Sequence, residues 1–227
     1  MLSRRSFLWS STGLLLAGCN NTAQLPPRPG TPSVQTAASA GASRPATDYA
    51  RLYRAMPNEQ FPIPAVNISK INPAYYRQQV NFTSEEPVGT IIVDTPGRFL
   101  YLTQPDGKAL RYGVGIGRAG FDWGGTARIG AKREWPKWFP PAEMRQRQPE
   151  LEKYAGGMPP GLSNPLGARA LYIYEGRKDT LYRIHGTPEA WSIGQAVSSG
   201  CVRMLQQDII DLYGRVPLQT KIVVRQV

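Results

Sequence analysis

Residues 182–204 read YRIHGTPEAWSIGQAVSSGCVRM and hold the only histidine of the chain, His185, together with Cys201, one of its two cysteines. The residues before His185 alternate between apolar and polar side chains, which predicts a strand that ends where Gly186 interrupts the pattern. Cys201 follows Gly200, a residue that suits a tight turn. A histidine at a strand end and a cysteine in a turn can meet across a short connection.

One imidazole beside one thiol has a chemical use. The thiolate is the nucleophilic form of cysteine, and an imidazole that takes the proton lowers the thiol pKa to roughly 3.5–7.5. Backbone N–H groups in the turn at Gly200 and Cys201 would face a developing oxyanion. The alternative is a histidine buried in the core and an inert buried cysteine, and spacing alone leaves both interpretations open.

The same stretch resembles the motif of the YkuD-type L,D-transpeptidases, cysteine enzymes of bacterial cell-wall assembly. The matching positions are His185, Gly186 and Thr187, then Ser198, Gly200, Cys201, Val202 and Arg203. The resemblance extends from about residue 87 to the C-terminus. The family usually has a second histidine directly before its Gly-Cys pair, and Ser199 stands at that position here.

The resemblance implies a mainly β fold of the YkuD β-sandwich type, with one or two short helices. It implies that Cys201 is the nucleophile and His185 the general base. We expect a backbone carbonyl, with Gly186 as the candidate, to orient the imidazole. The other implied site residues are Gly200, Ser199 and Gly186 for the turn and the oxyanion, and Arg203, Thr187, Trp191 and Ser198 for the substrate.

The resemblance also implies the reaction. Cys201 would attack the carbonyl that joins the third residue of a peptidoglycan tetrapeptide stem to its terminal D-alanine, and a thioester would remain on the thiol. An amine of a second stem would then give a 3–3 cross-link, whereas an amine of another protein would give attachment of that protein to the wall. The reaction needs no cofactor and no metal.

Three other readings of the motif are open. Water could resolve the thioester, which would make the chain an L,D-carboxypeptidase or hydrolase of the same fold. The Ser199 change could leave a catalytically inert peptidoglycan-binding lipoprotein. A papain-like cysteine peptidase fits poorly, because the cysteine precedes the histidine in that family and follows it here.

Composition and charge narrow the class of partner. The 227 residues carry a formal net charge of +11, which fits nucleic acid, anionic lipid or an anionic polymer such as the cell wall. The sequence has no block of five or six like charges and no nucleic-acid motif, which disfavours nucleic acid. One histidine and two cysteines without ligand spacing disfavour a zinc site.

Residues 1–18 have the features of an export signal. Residues 3–8, SRRSFL, resemble a twin-arginine motif, and a short apolar stretch too short to span a bilayer follows them. Residues 16–19, LAGC, resemble a bacterial lipobox, with Cys19 as the lipidated residue. We therefore expect a lipid-anchored protein of the periplasm or cell envelope, in which Cys201 remains as a lone thiol.

The rest of the chain divides by composition. Residues 19–47 are rich in Pro, Ala, Thr and Gly, lack aromatic residues and predict a flexible, disordered tether. Residues 48–86 predict an extended lead-in that packs against the catalytic domain, which we place at 87–227. Within it, apolar alternation predicts strands at 89–94, 98–103, 108–117, 168–174, 181–185 and 220–224.

One helix and one aromatic loop complete the predictions. Apolar residues from Leu205 to Tyr213 recur at helical spacing, and Gly214 predicts the C′ position of that helix. Residues 134–141, EWPKWFPP, hold three aromatic side chains among prolines. This loop is either a cleft wall that contacts substrate or a plug whose aromatic side chains are buried, and its composition does not separate the two.

Overall fold

The chain forms a mainly β structure, as predicted. Its large sheet has nine strands. The computed structural model describes residues 48–117, 124–198 and 200–226. The predicted signal peptide, Cys19, the predicted tether and Ser199 therefore lie outside the described residues.

The strands run in the order β1-β4-β3-β2-β11-β6-β7-β8-β10, and β5 pairs with β9 in a separate two-stranded sheet. Their bounds are β1 (Gln78–Asn81), β2 (Ile91–Asp94), β3 (Phe99–Gln104), β4 (Lys108–Gly113), β5 (Ile116–Gly117), β6 (Gly125–Glu134), β7 (Arg169–Glu175), β8 (Lys178–Gly186), β9 (Ala196–Ser198), β10 (Val202–Met204) and β11 (Lys221–Arg225). In the large sheet, β2 pairs with β11 and β8 with β10 in parallel, and the other pairs are antiparallel.

The α-helices of the described residues are α1 (Tyr49–Leu52), α2 (Ala142–Arg147) and α3 (Gln206–Arg215). The predicted end of α3 is wrong, because Gly214 lies inside the helix and Val216 is the extended residue that follows it. Two hydrogen bonds of 2.8 and 2.9 Å join Arg215, the last residue of the helix, to Asp211 one turn earlier. None of the helices in the described ranges is long and apolar enough to cross a membrane.

One hydrophobic core joins both halves of the large sheet to α3. Leu100 and Tyr112 from β3 and β4 belong to the same buried cluster as Leu171 and Ile184 from β7 and β8. Side chains from β3 and β4 and from β7 and β8 can belong to one buried cluster only if the sheet curves around that cluster. A sandwich requires this arrangement. The core face of α3 contributes Ile209 and Leu212.

The sequence did not predict β6, the longest strand in the described residues, nor the short strands β1, β9 and β10. The strand β6 reads GTARIGAKRE, and Ile129 is its only fully buried apolar side chain. The register against β7 shifts between Ile129 and Ala131, so alternation breaks in the middle of the strand. Neither apolar content nor period therefore marked it as a strand.

Residues 48–81 pack on the sheet and on α3. β1 pairs with β4, and the hydroxyl of Tyr53 donates to Asp208 of α3 over 3.2 Å. Glu59 accepts two hydrogen bonds of 2.9 and 2.8 Å from the guanidinium of Arg169 at the start of β7. These contacts join the lead-in to elements of the catalytic domain.

The aromatic loop is divided between core and surface. Trp135 is buried, and its indole N–H donates to Glu59 over 3.0 Å. Trp138 exchanges two backbone hydrogen bonds with Met158, of 3.1 and 2.7 Å, which tie this loop to the next one. Phe139 is exposed. The loop thus supplies one aromatic side chain to the core and one to the surface.

Candidate active site

His185 lies on β8, and Cys201 directly precedes β10, which pairs with β8 in parallel. Val202 pairs with Ile184, and Arg203 pairs with His185. Ile184 and Val202 are fully buried on the core face. Since side chains alternate along a strand, His185 and Arg203 belong to the opposite face. The structure thus places the predicted nucleophile at the entrance to the strand that pairs with the strand of the predicted base, two residues out of register with it.

The imidazole of His185 is oriented by backbone carbonyls. Its Nδ1 lies 2.6 Å from the carbonyl oxygen of Gly186, and the side chain is almost fully buried. A carbonyl oxygen only accepts hydrogen bonds, so Nδ1 carries the proton and Nε2 keeps its lone pair. The backbone of Pro165 also forms a hydrogen bond with the ring. The imidazole is therefore held as a tautomer that can act as a base.

Burial dominates the electrostatics of the base. It lowers the pKa of His185 to about 4, and the nearby guanidinium groups of Arg203 and Arg183 act in the same direction. The hydrogen bonds to Gly186 and Pro165 oppose this shift. His185 is therefore neutral at physiological pH and available to accept a proton.

Burial also raises the pKa of the Cys201 thiol, although a backbone hydrogen bond to Arg183 and the charges of Arg183 and Arg203 act against it. The sequence predicted the opposite direction, from the expectation of a thiolate–imidazolium pair. Both members of an ion pair lose hydration in this buried position, which disfavours the charged forms. Burial thus favours the neutral forms of both the thiol and the imidazole.

The first testable consequence is that the acid limb of the pH–rate profile lies below the ordinary range of histidine. Since protonated His185 cannot act as a base and its pKa is about 4, we expect kcat/KM to change less than about twofold between pH 7 and pH 5.5. Below pH 4 it should fall about tenfold per unit. The measurement is kcat/KM from pH 3.5 to 8, with circular dichroism at each pH to verify folding. An acid limb near the ordinary histidine pKa of about 6.5 would contradict it.

Gly200 is required by its conformation and by its neighbour. Its φ of 125° lies in the region that favours glycine. A Cβ at this position would lie 3.2 Å from the Tyr182 ring. The turn in front of Cys201 therefore depends on the absence of a side chain, as the sequence predicted for a tight turn.

Arg203 forms an ion pair within the chain. Its Nη1 lies 2.5 Å from a carboxylate oxygen of Glu189, on the segment between His185 and Cys201. The backbone of Arg203 exchanges two hydrogen bonds with Gly115, of 2.9 and 2.8 Å. The guanidinium is therefore anchored beside the thiol and already has a carboxylate partner.

The remaining predicted site residues differ in accessibility. Thr187 is buried, and its hydroxyl accepts a hydrogen bond of 3.1 Å from the N–H of Glu189, so it shapes the turn after His185. Trp191 is 62% exposed on the same segment. Ser198 ends β9, where it pairs with Gly117. Ser199 lies outside the described residues.

Arg183 is a residue of the site that the sequence reasoning missed. Its guanidinium lies 4.1 Å from the ring of Tyr172 and donates to both carboxylate oxygens of Asp179, over 2.7 and 2.8 Å. Arg183 stands two positions before His185 in the alternating run, so that spacing was a signal of a shared face. Its partner Tyr172 is on a different strand, and nothing local marks that contact.

Asn164 connects the loop at Pro136 to the loop at Met158 and Pro159. It is fully buried, and its side-chain amide donates to the carbonyls of Pro136, Met158 and Pro159 over 3.2, 3.3 and 2.9 Å. Its Oδ1 accepts from the N–H of Leu166 over 2.9 Å. These bonds hold the residue that follows Asn164, whose backbone contacts the imidazole, and no motif in the sequence pointed to them.

We expect Asn164→Ala to reduce the free energy of unfolding by about 3 kcal/mol, since it leaves several buried carbonyls without their donor. Urea unfolding followed by circular dichroism measures the change. Asn58→Ala removes an exposed amide and should shift the value by less than about 0.5 kcal/mol. Equal values for both variants would show that the buried amide contributes nothing.

Within the described residues, no group of three or more His, Cys, Asp or Glu side chains is placed to hold a metal ion. The candidate chemistry there uses a thiol, an imidazole, backbone groups and guanidinium groups.

Comparisons with known proteins identify relatives named as probable L,D-transpeptidases. The chain is 35% identical over 139 residues to the probable L,D-transpeptidase YbiS of Escherichia coli (strain K12), and the match covers 59% of this chain and 43% of YbiS. It is 36% identical over 138 residues to the probable L,D-transpeptidase ErfK/SrfK of the same strain, covering 58% of this chain and 42% of that protein. The matches thus span less than half the length of these relatives.

A solved structure is also similar in sequence. It is described as a probable carnitine operon oxidoreductase, caia, from Brucella melitensis, and it is 47% identical over a match that covers 70% of this chain and 99% of that one. The two structures have a TM-score of 0.48, so the family assignment rests on the sequence matches. The YkuD family model, described as the L,D-transpeptidase catalytic domain, matches residues 89–224, which hold His185 and Cys201. The chain therefore belongs to the YkuD family of L,D-transpeptidase catalytic domains.

Proposed function

We propose that the chain is a cysteine-dependent L,D-transpeptidase that acts on peptidoglycan tetrapeptide stems. The observation that carries the proposal is the position of Cys201 directly before β10, the parallel neighbour of the strand that ends with His185 and Gly186, with Nδ1 of His185 directed at the Gly186 carbonyl. A nucleophile, a base and a group that orients the base are the parts that acyl transfer needs.

The first half-reaction forms a thioester. Nε2 of His185 takes the thiol proton as Cys201 attacks the carbonyl between the third stem residue and the terminal D-alanine. Backbone N–H groups at Gly200 and Cys201 stabilise the oxyanion, an effect of about 3 kcal/mol per donor in well-studied cases. When the intermediate collapses, the C–N bond breaks and D-alanine leaves with the proton from His185.

The second half-reaction returns the thiol. An acceptor amine attacks the thioester, and the C–S bond breaks as the new amide forms; His185 takes a proton from the amine and passes it to the leaving sulfur of Cys201. A stem-peptide amine gives a 3–3 cross-link, and an amine of another protein gives attachment to the wall. A neutral imidazole serves both steps, which agrees with the lowered pKa of His185.

Arg203, Thr187, Trp191 and Ser198 are the proposed substrate-contacting residues. Arg203 is the best supported, because its guanidinium is anchored beside the thiol and is suited to a carboxylate. Trp191 lies on the same segment as Glu189, the ion-pair partner of Arg203. Trp191 is exposed, so a glycan or stem peptide would reach it.

We place the chain in the cell envelope, exported through residues 1–18 and lipid-anchored at Cys19. The sequence motifs at the N-terminus support this proposal, and so does the similarity to proteins named L,D-transpeptidases. A tether at 19–47 would let an anchored domain reach the wall above the membrane.

The test uses the full-length chain, purified in detergent and incubated with disaccharide-tetrapeptide fragments, with products identified by mass spectrometry. A dimer lighter than two donors by one D-alanine supports transpeptidation. Loss of D-alanine without a dimer supports the hydrolase alternative. No product and no adduct on Cys201 would overturn the proposal and favour the inert wall-binding lipoprotein.

A further inference from the structure

Two guanidinium groups are close enough to Cys201 to influence its thiol, and each has a carboxylate partner from the same chain. Arg183 pairs with Asp179, and Arg203 pairs with Glu189. A donor stem carries carboxylates. It enters a site in which Asp179 and Glu189 already neutralise the charges of both guanidinium groups.

The two ion pairs differ in how firmly they are held. Arg183 binds Asp179 through two nitrogen atoms and two oxygen atoms, over 2.7 and 2.8 Å, and stacks on Tyr172. Arg203 contacts Glu189 through Nη1 alone among the described residues. A two-point pair that also stacks on a ring loses more on opening than a one-point pair does. The partner of Arg203 is therefore the displaceable one.

Glu189 has a fixed backbone and an accessible carboxylate. Its N–H donates to Thr187, and its carbonyl accepts from the hydroxyl of Ser192 over 2.7 Å and from the N–H of the same residue over 2.9 Å. Its side chain is 46% exposed, whereas that of Arg203 is 19% exposed. The carboxylate can rotate into solvent without movement of the segment that carries it.

We propose that Glu189 is a specificity-determining residue, an internal carboxylate that occupies the guanidinium of Arg203 until a carboxylate of the donor stem displaces it. The inference rests on the proposed function for the identity of the donor. It adds that binding is an exchange of one carboxylate for another on a single arginine.

The exchange predicts which donors respond to loss of Glu189. An anionic donor competes with the internal carboxylate and therefore binds more tightly once that competitor is gone. A donor whose carboxylates are amidated has nothing to exchange. The gain is limited to about three- to tenfold, because a half-exposed ion pair is screened by solvent.

The experiment measures donor binding in full-length Cys201→Ala protein, which cannot turn the donor over. Isothermal titration calorimetry gives the Kd of a synthetic tetrapeptide stem with free carboxylates, and of the same peptide with its carboxylates amidated. We expect Glu189→Gln to lower the first Kd about three- to tenfold and to leave the second unchanged. Glu85→Gln makes the same charge change at an exposed glutamate and should alter neither.

A double-mutant cycle separates this role from a structural one. In an Arg203→Gln background the partner of Glu189 is gone, so Glu189→Gln should no longer change the Kd. A merely structural glutamate would alter the melting temperature and both peptides alike, in either background. In the active protein, Glu189→Gln should lower KM for the anionic donor and change kcat by less than about twofold.

Equal Kd values with and without Glu189 overturn the inference, and so does the absence of measurable binding in both proteins. An equal gain for the amidated peptide also overturns it. The proposed function fails separately, since a wild-type chain that forms no thioester and no dimer would refute it while the Kd comparison still decides the role of Glu189.

Discussion

Cys201→Ala is expected to abolish formation of cross-linked dimer, with a loss of at least about 10⁴-fold in kcat. The thiol of Cys201 is the nucleophile of the proposed reaction and carries its covalent intermediate. Without it the donor still binds, but no thioester forms. Mass spectrometry of the intact protein and of the products measures both effects.

Cys19→Ala is the matched control, because it removes the other cysteine of the chain. In detergent it should retain wild-type turnover, and in cells it should release the protein from the membrane. Unfolding midpoints of the two variants should agree, which separates lost chemistry from lost structure. If Cys201→Ala kept about a tenth of wild-type turnover, another group would have to be the nucleophile.

His185→Gln is expected to lower kcat by about 10²- to 10⁴-fold, with little change in KM. A glutamine amide can still donate to the Gly186 carbonyl, but it cannot take the thiol proton. The effect is large because burial raises the pKa of the thiol, so little thiolate exists at neutral pH without a base. The rate of thioester formation on Cys201 is the direct measurement.

Raising the pH should partly restore the His185→Gln variant. Thiolate then forms without a base, so its rate of thioester formation should increase up to the raised thiol pKa, while the wild type stays nearly flat. Alkylation by iodoacetamide should follow the same pH dependence. A large rise in KM with unchanged kcat would instead assign His185 to binding.

Local pattern decided most of the fold. The strands β2, β3, β7, β8 and β11 coincide with runs of alternating or continuous apolar residues, and α3 coincides with apolar residues at helical spacing. β6 was not predicted, because its pairing with β11 and β7, rather than its own apolar content, holds it in the sheet. The end of α3 was not predicted correctly, because a partner distant in sequence contacts that end: Lys132 of β6 donates to the carbonyls of Tyr213 and Val216.

The candidate site was predictable only in part. His185, Cys201 and the glycines beside them, Gly186 and Gly200, are visible in residues 182–204, because few residue types can serve as a base or as a nucleophile. The loop contact made by Asn164 was not visible, since its partners lie at separations that no local pattern encodes. Nor was it visible that Trp135 would be buried while Phe139 stayed exposed.

The sequence by itself determined the mainly β fold, the family resemblance, and the identities of the proposed nucleophile and base. Only the tertiary structure decided the state of that pair. The pKa values of His185 and Cys201 move toward the neutral forms because burial removes hydration, and burial depends on which strands and loops pack over them. The same holds for Arg203, whose carboxylate partner is set by packing of the segment between His185 and Cys201, because a charge pairs with whichever opposite charge the fold brings within reach.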